Sequence, residues 1–379
     1  MKAGWEIKPL EDCIEKVSYT NKIERKNFLL SGKHPVISQE KDFVNGFWDD
    51  DNDVFLLKKP VVVFGDHTKV IKYINFNFVI GADGIKILQP KNNIEAKYLY
   101  YFLCSIELED LGYARHYRLL KEIPISFPKN SQEQRRIVAI LDEAFAGIAA
   151  AKEKAEQNLK NAKEVFDTYS TDIFSSEKDG WKIKKLQDVV DSSCSLSYGI
   201  VQPGEEFQDG LPIVRPVDLT NKFTTLSGLK YINPTLAESY KRTTLSGNEI
   251  LMCVRGNTGV ISISSQELKG ANVTRGIVPI RFDSMKVNKL FGFYALGSNY
   301  VQKQIKAKTY GAALMQINIS DLRNININFP EEKEQRQIVS QLDSLSEETS
   351  RLESIYQQKL SNLEELKKSL LQQAFSGAL

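Results

Sequence analysis

Two short blocks of this chain occur twice, and the stretches between them do not. Gly4-Trp5-Glu6-Ile7-Lys8-Pro9-Leu10-Glu11-Asp12 returns as Gly180-Trp181-Lys182-Ile183-Lys184-Lys185-Leu186-Gln187-Asp188. Glu133-Gln134-Arg135-Arg136-Ile137-Val138-Ala139-Ile140-Leu141-Asp142 returns as Glu334-Gln335-Arg336-Gln337-Ile338-Val339-Ser340-Gln341-Leu342-Asp343, with seven of ten positions identical. The first pair is offset by 176 residues and the second by 201, so the second intervening stretch is 25 residues longer. Repeated ends around unlike middles restrict the fold to two copies of one frame carrying different inserts. A length of 379 residues agrees, being more than one hydrophobic core supports.

The second block of each copy opens a long helix. Over 131–174, Val138, Leu141, Phe145, Ile148, Lys152, Ala155, Leu159, Ala162, Phe166, Tyr169 and Ile173 step by three and four, the seam of a coiled coil with one polar break. Ser131-x-x-Gln134 fits a capping box, just after Pro128. Over 331–375, Ile338, Leu342, Leu345, Thr349, Leu352, Tyr356, Lys359, Leu363, Leu366 and Leu370 repeat the pattern, with Glu331, Glu332 and Glu334 where the helix dipole favours acid. Each helix would be about 65 Å long. A lone helix with one apolar stripe needs a partner, and these two are expected to pack antiparallel.

The inserts read as α+β. Strands are expected at 61–64, 78–80 and 85–88 in the first and at 250–254, 260–263 and 276–280 in the second, with short helices at 96–103 and 290–296. Each insert closes on an alternating strand, Ile123, Ile125, Phe127, Pro128 and Ile325, Ile327, Phe329, Pro330. A short hinge covers 175–180. The fold class expected is therefore two pseudo-repeated α+β domains, each followed by a long helix. Domain boundaries fall at 1–128, 129–176, 177–329 and 330–379.

Net charge is uneven: zero over 1–128, −2 over 129–179, +7 over 180–329 and −3 over 330–379. The second insert could present a positive field to a polyanion, whereas the first would need a local patch. Cys13, Cys104, Cys194 and Cys253 form no Cys-x-x-Cys pair, which suits buried free thiols in a reducing cytoplasm. No apolar run is long enough for a membrane span, and the first residues hold no apolar signal core. Catalytic motifs are not found. Gly32-Lys33 is followed by His34 rather than Ser or Thr, no Asn/Asp-Pro-Pro-aromatic or Gly-x-Gly-x-x-Gly occurs, and the second half has no histidine for a nucleophile–histidine pair. These readings favour a binding protein without cofactor or metal.

Two polar clusters follow apolar strands. The first is Gly65-Asp66-His67-Thr68-Lys69, joined later by Gly112-Tyr113-Ala114-Arg115-His116-Tyr117-Arg118. The second is Arg255-Gly256-Asn257-Thr258-Gly259, joined by Asn272-Val273-Thr274-Arg275-Gly276 and by Tyr310-Gly311. Glycine-flanked loops at strand ends let backbone approach a ligand. Arg pairs bidentately with guanine and Asn with adenine, while aromatics beside them reach sugar and phosphate. The candidate DNA-binding residues are His67, Thr68, Lys69, Arg115, His116, Tyr117, Arg118, Arg255, Asn257, Thr258, Thr274, Arg275 and Tyr310. Each also has a structural reading, such as a histidine capping a turn or an arginine pairing with an acid.

The doubled Phe-Pro…Glu-Gln-Arg-x-Ile-Val-x-x-Leu-Asp frames at 127–142 and 329–343 and the two Trp-x-Ile-Lys-x-Leu-x-Asp starts, with Gly81-Ala82-Asp83-Gly84 and both loop clusters, resemble the specificity subunits of type I restriction–modification systems over essentially the whole chain. The resemblance implies two target-recognition domains, each reading half of an asymmetric, bipartite double-stranded DNA site, and conserved spacer helices at 129–176 and 330–379. It implies a non-catalytic chain that works with two methyltransferase (modification) subunits, which flip the target base, and in some systems with two restriction subunits. Two other readings stay open at this point: a methyltransferase or nuclease with unrecognised motifs, and a coiled-coil scaffold that binds proteins.

Overall fold

The computed structural model describes residues 4–112, 114–175, 178–311 and 314–379, so Tyr113 and part of the expected hinge lie outside the described residues. Two compact units form, Met1–Gln157 with Tyr356–Leu379, and Asn158–Ile355.

The first unit contains β1 (Trp5–Pro9), β2 (His34–Ile37), β3 (Val61–Gly65), β4 (Ile71–Ile74), β5 (Phe78–Gly81), β6 (Ile85–Pro90), helix α1 (Ala96–Cys104), β7 (Pro124–Pro128) and the start of helix α2 (Ser131–Phe174). The second contains β8 (Lys182–Lys185), β9 (Leu211–Val214), β10 (Ile250–Cys253), β11 (Ile261–Ser264), β12 (Asn272–Val273), β13 (Ile277–Ile280), α3 (Lys289–Gly297), α4 (Asn299–Lys308), β14 (Asn326–Phe329) and the start of α5 (Glu332–Ser376). The expected strands and short helices all form, as do both long helices.

The two ends of each insert pair with each other. β1 runs antiparallel to β7, with Trp5 opposite Pro128 and Lys8 opposite Ile125. β8 runs antiparallel to β14, with Lys182 opposite Phe329 and Lys185 opposite Asn326. Each insert has an antiparallel core sheet, β6-β3-β4 in the first and β11-β10-β13 in the second. The unbroken apolar runs Val61–Phe64 and Ile250–Cys253 are buried on both faces, as central strands covered from both sides should be. α1 and α3 pack beside these sheets through Tyr98, Leu99 and Phe102 in one unit and Phe291, Ala295 and Leu296 in the other. Gly292 on α3 is required by packing, because a Cβ there would sit 2.2 Å from the Phe282 ring.

The Glu-Gln-Arg blocks attach the long helices to these bodies, by a route different from the expected capping box. Asn130 caps α2, its Oδ1 accepting from Gln132 N–H at 2.9 Å. Gln134 is fully buried and turns away from Ser131. Its Oε1 accepts from Glu95 N–H (2.9 Å), and its amide nitrogen donates to the carbonyls of Asn93 (2.9 Å) and Pro128 (2.8 Å). Gln335 repeats the pattern, accepting from Asn288 N–H (2.7 Å) and donating to the carbonyls of Lys286 and Pro330 (both 2.9 Å). Bonds to three backbone groups, the Pro128 contact fully buried, outweigh a local cap.

The Leu-Asp end of each block forms a second attachment. Asp142 accepts from Tyr101 Oη (2.5 Å) and Lys97 Nζ (2.8 Å). Asp343 accepts from Tyr294 Oη (2.5 Å) and Lys222 Nζ (2.7 Å). Burial alone would raise the Asp343 pKa, but the hydrogen bonds from Lys222 and Tyr294 outweigh it and hold the carboxyl below its ordinary value.

Within the first unit, Arg136 donates to Leu379 O (2.9 Å) and Lys152 meets Glu364 (2.7 Å), so α2 and α5 run antiparallel there. The polar break at Lys152 is thus an ion-paired position. Within the second unit, Tyr169 Oη donates to Gln341 (3.0 Å), and Ile173 and Phe174 share a core with Ile338 and Leu342. Near the end of α5 the stripe departs from the expected spacing: Leu366 is exposed, and Leu371 and Ala374 are buried instead. A helix of 3.6 residues per turn drifts from a 3.5-residue seam, and here the core against Tyr98 and Phe102 selects the drifted face.

Gln134→Leu preserves most of the volume but strips partners from Glu95 N–H and from the Asn93 and Pro128 carbonyls. We expect a loss of about 2–3 kcal/mol in urea denaturation of the full chain. An unchanged midpoint would mean that the glutamine clamp does not stabilise the first unit.

Candidate nucleic-acid interface

In the first unit, one buried carboxylate joins the two polar clusters that the sequence keeps about 50 residues apart. Asp66, directly after β3, is only 2% exposed. Its Oδ1 accepts from Tyr117 N–H at 2.7 Å, and its carbonyl accepts from His116 N–H at 2.8 Å. His116 was expected at the DNA surface, but it is completely buried. Its Nδ1 lies 3.0 Å from Asp66 O, and its Nε2 accepts from Leu111 N–H at 3.1 Å. The ring therefore acts as a strut, because a buried imidazole with both nitrogens satisfied has none left for a base. Tyr117 is half-buried, with Lys86 Nζ 5.3 Å from its ring centre. Arg115 and Arg118 on either side are exposed, with no hydrogen-bond or ion-pair partner among the described residues.

The turn between β3 and β4 is built from within. Lys69 has φ +58° and reaches Asp110 at 3.3 Å. Thr68 is exposed as a residue, yet its hydroxyl donates to Gln39 O (2.5 Å), so it is turned towards the protein. His67, partly exposed, is fixed through its backbone N–H to Gln39 Oε1 at 3.1 Å. Gly65 is obligatory here, since a Cβ would lie 2.3 Å from Thr68 Oγ1.

In the second unit, three loops and one segment missed by sequence meet. The Arg255–Gly259 loop follows β10. It is tied to Met315 and Gln316 by a bridge between Arg255 and Gln316 and by Gly256 N–H to Met315 O (2.8 Å), and Gln316 in turn bridges Tyr310. Val254 N–H donates to Gly276 O and Arg275 N–H to Ile200 O, both at 2.8 Å, which brings in the Thr274–Gly276 and Tyr198–Ile200 segments. Tyr198 donates from its hydroxyl to Ile317 O at 3.2 Å. Burial pushes its pKa up, while the charges of Arg275 and Arg255 pull it down, so both guanidiniums act on one tyrosine. Tyr310 Oη donates to Asn318 and accepts from Gln316 Nε2 at 3.1 Å.

Arg275 and Asn257 are exposed, Arg255 and Thr258 are partly exposed, and none of the two arginines or Asn257 has a side-chain partner among the described residues. Thr274 differs from expectation: its hydroxyl is enclosed, without a partner among the described residues, and is not offered to a ligand. Beside the loop lies a cleft of about 520 Å³ lined by Asn257, Thr258, Lys303, Lys306, Thr309 and Met315. Lys303 and Lys306 were not singled out from sequence. Their spacing of three on α4 puts both on one face, a signal that was available. Tyr198 carried no comparable signal, because only the tertiary fold brings it to Arg255 and Arg275.

All four cysteines are free, with Cys13 and Cys253 buried and Cys104 and Cys194 half-buried. Burial pushes the Cys13 and Cys104 thiols up to about 11, so neither is an activated nucleophile. Among the described residues no cluster of three or more His, Cys, Asp or Glu could hold a metal. No described helix is long and apolar enough to cross a membrane.

The family model of the type I restriction modification DNA specificity domain matches this chain twice, at residues 2–161 and 178–363. The chain belongs to that family. The two specificity domains coincide with the two copies of the repeated frame. Among curated relatives, the chain is 24% identical to the EcoR124I/EcoR124II specificity subunit of Escherichia coli over 327 residues, covering 82% of this chain and 78% of that one. It is 25% identical to the EcoBI specificity subunit of Escherichia coli over 234 residues, 62% of this chain, and that match spans only about half (48%) of the relative's length. The fold is that of a chain in a structure concerned with complex assembly and conformational transition of the type I R-M system (TM-score 0.71, 16% identity, 100% of this chain and 99% of the other). It is also that of the HsdS subunit from Thermoanaerobacter tengcongensis (TM-score 0.60, 16% identity, 100% and 98%).

Arg275→Ala and Arg255→Ala should each cost about 1–3 kcal/mol of discrimination at one half of a recognised site and leave the other half unaffected. Binding to duplexes altered one base pair at a time would measure this. A uniform loss over all sequences would instead place the arginine on phosphate.

Proposed function

We propose that this chain is a non-catalytic, sequence-specific DNA recognition subunit. It reads an asymmetric bipartite site and directs methyltransferase and restriction subunits to it. Its partners are double-stranded DNA, two methyltransferase subunits and, where the system encodes them, two restriction subunits. The carrying observation is the double match to the specificity-domain family over two segments whose frames repeat and whose loops do not. The loop chemistry supports the same reading. Arg115 and Arg118 in one unit, and Arg255, Asn257, Arg275, Lys303 and Lys306 in the other, are groups that pair with base edges and phosphates. Their loops are fixed by hydrogen bonds, which keeps the ordering cost of binding small. In this reading residues 1–128 and 177–329 are the readers, and 129–176 and 330–379 set the interval between half-sites and dock the partners.

Modification of genomic DNA by the full chain together with methyltransferase subunits should reveal a two-part site by methylation-aware sequencing. Methyl transfer or cleavage by the purified chain alone would overturn the proposal. Inserting one heptad between residues 145 and 170, with a matching insertion in α5, should change the tolerated gap between half-sites. An unaltered site would mean that these helices do not set the interval.

A further inference from the structure

The first unit contains a buried ammonium that no base or phosphate can reach. Lys72 lies on β4 opposite Val63 and is only 4% exposed. Its Nζ is within hydrogen-bonding distance of Ser38 O (3.0 Å), Asp42 O (2.5 Å), Phe43 O (3.3 Å) and Asn45 Oδ1 (3.1 Å). All four acceptors are neutral oxygens, and all belong to the loop that follows β2. Burying a lysine costs several kcal/mol unless its protons are matched, so a lysine here needs a reason beyond filling space.

That reason lies one residue along the loop. Gln39 follows Ser38, and it is the residue that fixes the turn between β3 and β4, accepting from His67 N–H through Oε1 and from Thr68 Oγ1 through its carbonyl. The fit is close: a Cβ on Gly84 would lie 2.6 Å from Gln39 Oε1, and one on Gly65 would lie 2.9 Å from Gln39 Cβ. Asn45 closes the loop on itself, accepting from Ser38 N–H (2.8 Å) and donating to Asp42 O (3.0 Å). The loop is closed at its base by Asn45 N–H donating to Val36 O on β2 (2.9 Å), and between these ends its carbonyls turn inward on one side chain.

We propose that Lys72 is a positioning residue of the first reader: its buried ammonium gathers the Ser38–Asn45 loop, and through Gln39 this loop sets the His67–Lys69 turn against DNA. The inference rests on the reading that this turn faces DNA, and it goes beyond that reading by placing control of the turn in a residue that touches no nucleic acid. The ammonium brings three protons to four oxygens, whereas the neutral amine brings only two. Burial pushes Lys72 down to about 8, against the pull of Glu40 and Asp42. Glu40 is itself paired with Arg25 at 3.2 Å. Strand β3 carries no titratable side chain, and α1, packed on β4, carries Lys97, Tyr98, Tyr100, Tyr101 and Cys104. The folded value lies below the ordinary 10.5, so between about pH 8 and 10.5 the unfolded chain holds more protons at this site. Below about pH 8 the folded site therefore holds an ammonium, and its contribution to stability rises with pH across that window.

The test uses the full chain in its complex with methyltransferase subunits. A pool of randomised duplex oligonucleotides supplies the selected site, and each half-site is then scrambled in turn. His67→Ala and Lys69→Ala identify the half-site read by the first unit. In Lys72→Met, discrimination at that half-site should fall about tenfold, with the other half-site as internal reference. Gln39→Ala, which removes the link from loop to turn but leaves the buried ammonium in place, should show the same one-sided loss. Unchanged discrimination in Gln39→Ala overturns the proposal, even if Lys72→Met fails to fold. If His67→Ala and Lys69→Ala alter neither half-site, the underlying reading of the turn fails, and the Lys72 proposal fails with it for that distinguishable reason.

Discussion

Burying a primary amide without leaving its donors and acceptors unmatched is the constraint on which the rest of this structure depends. Gln134 and Gln335 each join three backbone groups at the base of a domain. A glutamine satisfies one N–H and two carbonyls at once, which no apolar residue of the same size does. Each amide connects the loop before the short helix, the end of the exit strand and the first turn of a long helix. An Asp–Tyr contact lies two turns further along each helix. Domain and helix are thereby locked in angle as well as position, since two attachments along one axis remove the rotation that a single one would allow.

The loops that carry the proposed chemistry are held by a different logic in each unit. In the first, buried charged or polar side chains organise the surface: Asp66 and His116 brace one segment, and Lys72 gathers another. In the second, main-chain bridges do this, linking the segments around Arg255, Arg275 and Tyr310. Both arrangements leave guanidinium groups exposed on an ordered backbone. The first unit achieves this with zero net charge over residues 1–128, so any attraction to a polyanion there is local, whereas the second adds an excess of basic residues.

Much of the architecture was legible in the sequence because it rests on periodicity. The two long helices, the strands at 61–64 and 250–254 and the paired exit strands follow from spacing alone, and repetition of the frame supplied an internal check. The roles of single polar residues were not legible. Gln134 looked like half of a capping box, and only the fold shows that Asn93, Glu95 and Pro128 compete for it successfully. His116 and Thr274 looked like surface donors because their neighbours are, yet burial is decided by contacts 50 or more residues away. Tyr198 was invisible for the same reason. Leu366 and Leu371 mark the limit of the period itself, where tertiary packing chooses between two faces that sequence leaves nearly equal.

The pairing of β1 with β7 and of β8 with β14 has a consequence for how such a chain can change. Both ends of each insert leave the frame side by side, through a two-stranded neck whose register is fixed by Trp5 opposite Pro128 in one copy and Lys182 opposite Phe329 in the other. Anything grown between adjacent ends alters neither where the neck begins nor where the following helix starts. The extra 25 residues of the second insert are accommodated in this way. Geometrically, each insert is a removable cassette: the frame constrains only the separation of its two ends, and its contents are free to diverge.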